Sequence, residues 1–270
     1  NPDAPPLVFL HATGFCASTY KRALAPLAAR FDVVALDLRG HGRTTLPAEP
    51  VGLRDWTLFA RDVAEALPQI AEGRPATLAG HSLGAVTAAL VAAGRTDVAA
   101  LRLVEPVALP SFTALMARTA LWRRHLGPRL PLARAARARR SDYESRSEAR
   151  ESYARKRFFS NWAEGVLDDY LEDGLRETGA GVSLACKPAF ESAIFAAHGH
   201  DFWGALRRTR APVTVYAAAD PTQSTVGNAA RARLRRLGAA IVAAPGVTHL
   251  APMEDPAGVA AFLATAAETR

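Results

Sequence analysis

Gly80-His81-Ser82-Leu83-Gly84 sets a serine between two glycines. The apolar run Ala76–Ala79 precedes it, and the helix-forming stretch Ala85-Val86-Thr87-Ala88-Ala89-Leu90 follows. In that setting a G-x-S-x-G pentapeptide reads as a tight strand-to-helix turn. Side chains beside the serine would clash there, and its hydroxyl projects from the top of a sheet. Ser82 is the candidate nucleophile. The N–H of Leu83, at the start of the following helix, points to where negative charge would collect on an attacked carbonyl.

Such a turn needs a sheet with helices packed on it. Short apolar runs bounded by turn residues fall at Leu7–Leu10, Val33–Leu36, Ala76–Ala79, Leu101–Val104, Val213–Ala217 and Ala240–Ala243. They are continuous rather than alternating, the pattern of strands buried on both faces in a parallel sheet. Amphipathic stretches at Tyr20–Arg30, Leu53–Ile70, Leu83–Gly94, Gly227–Leu237 and Pro256–Thr269 separate them. This alternation predicts an α/β fold, a mostly parallel open sheet with helices on both faces. Between about Pro106 and Arg210 it stops. That stretch predicts helices at Ser111–His125, Asp142–Phe159, Ala163–Glu177 and Pro188–His198, and no clear strand. We expect a core of residues 1–107 and 208–270, with 108–207 inserted as a helical cap over the carboxyl ends of the strands, where ligands of open α/β sheets bind.

Four motifs resemble the α/β-hydrolase fold superfamily, in the form of a capped, esterase-like serine hydrolase. The first is His11-Ala12-Thr13-Gly14-Phe15, similar to an H-G-x-x-G oxyanion loop but with Ala12 where the second position is usually glycine. The second is Asp37-Leu38-Arg39-Gly40-His41-Gly42-Arg43, similar to a D-x-R-G-H-G loop. The third is the serine turn, and the fourth is Gly246-Val247-Thr248-His249.

The resemblance implies a chain order of serine, acid, histidine. His249, late in the chain, is then the base that takes the Ser82 proton. Asp220, after the run Val213–Ala219, is the expected acid, and Glu105, after Leu101–Val104, is its rival. The second oxyanion donor is expected at the Thr13 N–H. The substitution at Ala12 leaves Gly14 and Phe15 as alternatives. Asp37, Arg39 and His41 are expected to brace the serine turn rather than react. The implied activity is cleavage of a carboxylic ester, thioester or lactone through an acyl-enzyme, with no metal or organic cofactor. Carbon–carbon bond hydrolysis, acyl transfer and cofactor-free perhydrolysis use the same triad. Epoxide hydrolysis and dehalogenation would call for an aspartate nucleophile, and Ser82 argues strongly against both. A small-ligand receptor on the same scaffold is the non-enzymatic alternative.

The 270 residues suit one globular domain with an insertion. Cys16 and Cys186 are too few for a disulfide framework or a cysteine zinc site and read as ordinary thiols. His198-Gly199-His200-Asp201 lacks metal-ligand spacing and reads as a polar junction between cap and core. The net charge is +7, nearly all from arginine. Residues 118–157 hold 13 Lys and Arg against four acids, yet no aromatic-interleaved nucleic-acid motif accompanies them. This basic stretch reads as a solvated helical face. The expected partner is a small molecule with an apolar acyl group, with no nucleic acid, and membrane association is not expected. Two or three of Phe112, Trp122, Phe158, Phe159, Trp162, Phe195 and Trp203 are expected to line its pocket. No signal peptide is visible, and no apolar run reaches the ~18 residues of a membrane helix. The expectation is a cytoplasmic protein.

Overall fold

A computed structural model describes residues 4–265 of the chain. Six strands form one parallel sheet in the order β2-β1-β3-β4-β8-β9. They are β1 (Pro6–Leu10), β2 (Asp32–Leu36), β3 (Ala76–His81), β4 (Val98–Val104), β8 (Val213–Ala218) and β9 (Ala240–Ala244). All six predicted strands are present.

The side chains of these strands feed two cores, one on each face of the sheet. Val8, Leu10, Leu78, Leu101, Leu103, Val215 and Ala217 face one of them. That core is covered by α2 (Thr57–Ala71), α3 (Leu83–Ala92), α9 (Phe202–Arg208) and α10 (Asn228–Arg236). Leu7, Phe9, Ala79, Val104, Tyr216 and Ala218 face the other. The turns at 17–29, which include α1 (Lys21–Leu24), cover it with α11 (Ala251–Glu254) and α12 (Pro256–Leu263). Burial on both faces explains why the strand sequences are continuously apolar. Residues 266–269 of the last predicted helix lie outside the described residues.

The segment between β4 and β8 carries α4 (Ser111–Ala117), α5 (Pro131–Arg137), α6 (Arg146–Ala154), α7 (Val166–Gly174) and α8 (Pro188–Ala196). It also holds strands, contrary to expectation. β5 (Asp142–Tyr143), β6 (Leu175–Thr178) and β7 (Gly181–Leu184) form a small antiparallel sheet in the order β5-β7-β6. The predicted helix Ala163–Glu177 therefore ends at Gly174. Thr178 pairs with Gly181 across a two-residue loop, Gly179-Ala180. Gly181, at φ 131°, adopts a conformation closed to other residues. This segment has a core of its own around Tyr143, Tyr153, Tyr170 and Leu184. Yet Phe190 and Ile194 of α8 pack into the same core as Leu10, Trp56 and Phe59. Both cysteines are buried free thiols. No helix among the described residues is long and apolar enough to cross a membrane.

Candidate active site

The serine turn owes its shape to lost side chains. A Cβ on Gly84 would lie 2.0 Å from the Leu10 carbonyl oxygen, and one on Gly80 would lie 2.4 Å from the Gly84 carbonyl carbon. With both absent, α3 packs tightly against β1 and β3. Ser82 is driven to φ 54° and ψ −112°, a backbone strain of order 1–3 kcal/mol that the surrounding packing must hold. Its hydroxyl lies 3.1 Å from His249 Nε2.

The other imidazole nitrogen faces an acid from β4. His249 Nδ1 is 3.3 Å from Glu105 Oε2. Glu105 follows the last residue of β4, has φ 47° and is fully buried. Its Oε1 accepts from the Ala218 N–H and the Ser224 hydroxyl, each at 2.7 Å. Oε2 accepts from the Thr225 N–H at 2.9 Å and the Thr225 hydroxyl at 3.0 Å. Burial pushes this carboxyl upward, but the His249 ring beside it and these hydrogen bonds outweigh burial and hold it near pKa 2. It is ionised at neutral pH.

Asp220, the expected acid, is elsewhere. Its Oδ1 accepts from the N–H and the hydroxyl of Thr222, both at 2.8 Å, in an exposed turn of its own. Both carboxylates sit beyond the ends of neighbouring strands, β4 and β8. The loop after β8 turns Ser224 and Thr225 inward and leaves Asp220 outside. The acid facing His249 is thus the rival Glu105, and the expectation for Asp220 is corrected. Ser224 and Thr225 have no sequence signature and were not singled out.

Competition for donors separates the oxyanion candidates. The Gly14 N–H donates to His41 Nε2 at 3.1 Å and the Phe15 N–H to the Ala12 carbonyl at 3.2 Å. The N–H groups of Thr13 and Leu83 have no acceptor among the described residues. Thr13 and Ser82 line one cavity, and Leu83 begins α3 directly after Ser82.

Neutral histidines hold these loops in place. His11 Nε2 accepts from the Leu38 N–H at 2.9 Å, and its Nδ1–H donates to the Ala12 carbonyl. Burial holds His11 near pKa 4 and, with the nearby His11 charge, His41 near 3. The Asp37-to-Arg43 loop braces the loop after His11 rather than the serine turn. Besides the His41–Gly14 bond, Asp37 accepts from the Ala17 N–H at 2.7 Å. Arg39 forms a two-pronged pair with Asp62. His81, inside the serine motif, joins two parts of the site. Its Nε2–H donates to the His249 carbonyl at 2.8 Å, and its Nδ1 accepts from the Tyr20 hydroxyl at 2.8 Å. The Tyr20 oxygen in turn accepts from the Ala12 N–H. His198 and His200 pack against Trp56, and Asp201 caps α9 through the Gly204 N–H.

Ser82 and His249 open into a cavity of about 780 Å³. Its apolar wall is Phe15, Leu132, Ala135, Ala136, Phe158, Phe159, Phe195 and Leu250. Three of the aromatics expected there, Phe158, Phe159 and Phe195, take part. Phe112 is instead 70% exposed. Arg139, Tyr153, Lys156, Tyr170 and Glu191 form a polar sector.

A family model described as the alpha/beta hydrolase family matches residues 7–262. The chain belongs to that family. Its sequence is 30% identical over 96 residues to an (E)-2-((N-methylformamido)methylene)succinate hydrolase of Acinetobacter baylyi, covering 36% of this chain and 35% of that protein. It is 31% identical over 119 residues to a 2-(acetamidomethylene)succinate hydrolase of Mesorhizobium japonicum, covering 44% and 40%. The chain thus matches two fifths or less of the length of these relatives. A solved structure of an E-2-(acetamidomethylene)succinate hydrolase superposes with a TM-score of 0.79 at 22% identity, covering 97% of this chain and 90% of that one. At that identity the likeness is one of fold.

Proposed function

We propose that this member of the hydrolase family works as a serine hydrolase with a Ser82–His249–Glu105 triad. One observation carries the reading: His249 stands between Ser82 Oγ and the ionised Glu105, within 3.1 and 3.3 Å. The buried carboxylate fixes Nδ1 as the protonated nitrogen, which leaves Nε2 free to accept. As Ser82 Oγ attacks a carbonyl carbon, its proton passes to His249 Nε2. The oxyanion that forms takes the N–H groups of Leu83 and Thr13. His249 then returns the proton to the leaving group as the carbonyl–leaving-group bond breaks, giving an acyl-enzyme. Water, deprotonated by the same nitrogen, releases the acid and restores Ser82. The segment 108–207 acts as a cap whose Leu132, Phe158, Phe159 and Phe195 supply much of the apolar wall for the acyl group.

The substrate bond has two candidates. Esters, thioesters and lactones suit the apolar wall. The named relatives favour the alternative, a non-ester bond opened by the same triad, carbon–carbon cleavage included. Neither substituted methylenesuccinate contains an ester in its name.

The deciding experiment measures 4-nitrophenyl butyrate and 2-(acetamidomethylene)succinate with wild type and Ser82→Ala, matched for folding by circular dichroism. Turnover of either substrate that vanishes in Ser82→Ala supports the triad, and the substrate turned over identifies the bond. Equal turnover in both proteins would remove Ser82 as nucleophile. A well-folded wild type inert on both would return weight to the receptor alternative.

A further inference from the structure

We propose that Lys156 is a specificity-determining residue that holds a carboxylate of the substrate inside the Ser82 cavity. The inference rests on the hydrolase reading above and adds the substrate class, an acyl chain bearing an acid.

Three ionisable side chains line the cavity beside the triad: Arg139, Glu191 and Lys156. Two of them answer each other. Arg139 Nη1 donates to Glu191 Oε2 at 2.6 Å, and Nη2 donates to the hydroxyls of Tyr153 at 2.7 Å and Tyr170 at 3.0 Å. Lys156 has no carboxylate within ion-pair distance among the described residues. Its Nζ instead lies 4.2 Å from the centre of the Tyr153 ring, a weak cation–π contact. Lys156, an exposed residue on the cavity wall, therefore gives the polar sector one positive charge with no carboxylate partner among the described residues. Burial and the neighbouring Arg139 both disfavour the Lys156 charge. An anion arriving there would relieve both penalties, which a neutral acyl chain cannot do. One ammonium group matches one carboxylate in charge, with Arg139 already committed to Glu191.

The test compares two esters of equal acyl length, mono(4-nitrophenyl) glutarate and 4-nitrophenyl pentanoate. It is joined to calorimetric titration of glutarate into Ser82→Ala and into the same protein also carrying Lys156→Met. The wild type is expected to prefer the acidic ester by about tenfold to a hundredfold in kcat/KM, the range of one charge-assisted hydrogen bond. Lys156→Met should bring the ratio close to one, and Lys156→Arg should restore most of it. Glutarate should bind at least tenfold more weakly when Lys156 is replaced. A ratio that is the same in wild type and Lys156→Met would overturn the proposal while leaving the hydrolase reading intact. If neither ester is cleaved, the titration decides: Lys156-dependent glutarate binding keeps the anion site and removes the ester activity, and no binding, or equal binding, overturns the site.

Discussion

Glu105 is ionised inside a cage of hydrogen bonds and next to His249, so its effect should be large and specific. Glu105→Gln keeps the shape but cannot stabilise an imidazolium, and it presents an amide where Nδ1 needs an acceptor. By analogy with serine-triad enzymes, it should lower kcat by about 10⁴-fold. Asp220→Asn, in its exposed turn with Thr222, should leave most activity. Steady-state kinetics of the two variants checks both statements, and a reversed ranking would restore Asp220 as the acid. Thr225 holds Glu105 through both its N–H and its hydroxyl, and that hydroxyl is also 3.3 Å from His249 Nδ1. Thr225→Val removes the hydroxyl that faces Glu105 Oε2 and the carbonyl oxygens of Glu105 and Pro106. We expect a smaller loss of kcat than in Glu105→Gln, with the acid limb of the kcat/KM profile displaced as the carboxylate loses a partner.

At the scale of elements, the site depends on how closely α3 approaches β1. Gly84→Ala would place a methyl 2.0 Å from the Leu10 carbonyl oxygen, a contact no backbone tolerates. The helix must move, and Ser82 at its N-terminus moves with it. Overpacking of this kind costs about 1–3 kcal/mol, so a lowered denaturation midpoint should accompany a loss of turnover. Gly52→Ala, with no atom within 4 Å of its added Cβ, is the contrast for crowding, although its positive φ carries strain of its own. The chain from the Ala12 N–H through Tyr20 and His81 to the His249 carbonyl ties the loop after His11 to the loop that carries His249. Tyr20→Phe leaves a buried Ala12 N–H and His81 Nδ1 without partners. It should cost about 1–3 kcal/mol of stability, measured by urea unfolding, with kcat falling more than KM changes.

For the whole molecule, the buried neutral histidines set the response to acid. His11, His41, His81, His198 and His200 are held near pKa 3 to 4 by burial, against an ordinary value of 6.5. Between those values the unfolded chain binds more protons than the folded one, so stability rises with pH. Their contribution is complete above pH 6.5, shrinks as pH falls below it and is spent once the folded values near 3 are passed. Glu105, near 2 when folded against an ordinary 4.5, acts in the same direction at lower pH, with its loss starting below about 4.5. Urea midpoints should therefore drop steadily from pH 7 to pH 4, and a flat profile over that range would contradict the burial of these rings. Removal of residues 108–207 should also weaken the core, because Phe190 and Ile194 of α8 pack against Trp56 and Phe59. The Trp56 indole N–H, moreover, donates to the Ile194 carbonyl.

Much of this was local and therefore legible. The strands showed as continuous apolar runs because both faces of the sheet are covered. The serine turn showed because only glycine fits beside Ser82, and His249 because its loop carries a recognisable motif. The hairpin β6–β7 was hidden in a segment whose short strands lack periodicity, although Gly179 and Gly181 mark its turn. Which carboxylate meets His249 was not local at all. Glu105 and Asp220 leave adjacent parallel strands at the same edge of the sheet, and each is a plausible acid by order along the chain. The choice depends on the path of residues 219–225, which brings Ser224 and Thr225 hydroxyls inward to solvate Glu105 and turns Asp220 toward water. The pairing of Arg139 with Glu191, 52 positions apart, likewise leaves Lys156 uncompensated only once the chain has folded. Residue types and short-range sterics determined the candidate nucleophile, the candidate base and the sheet that carries them. Contacts between distant segments decided which carboxylate faces His249 and the charge of the pocket, because electrostatic partners are chosen by distance in space rather than by order along the chain.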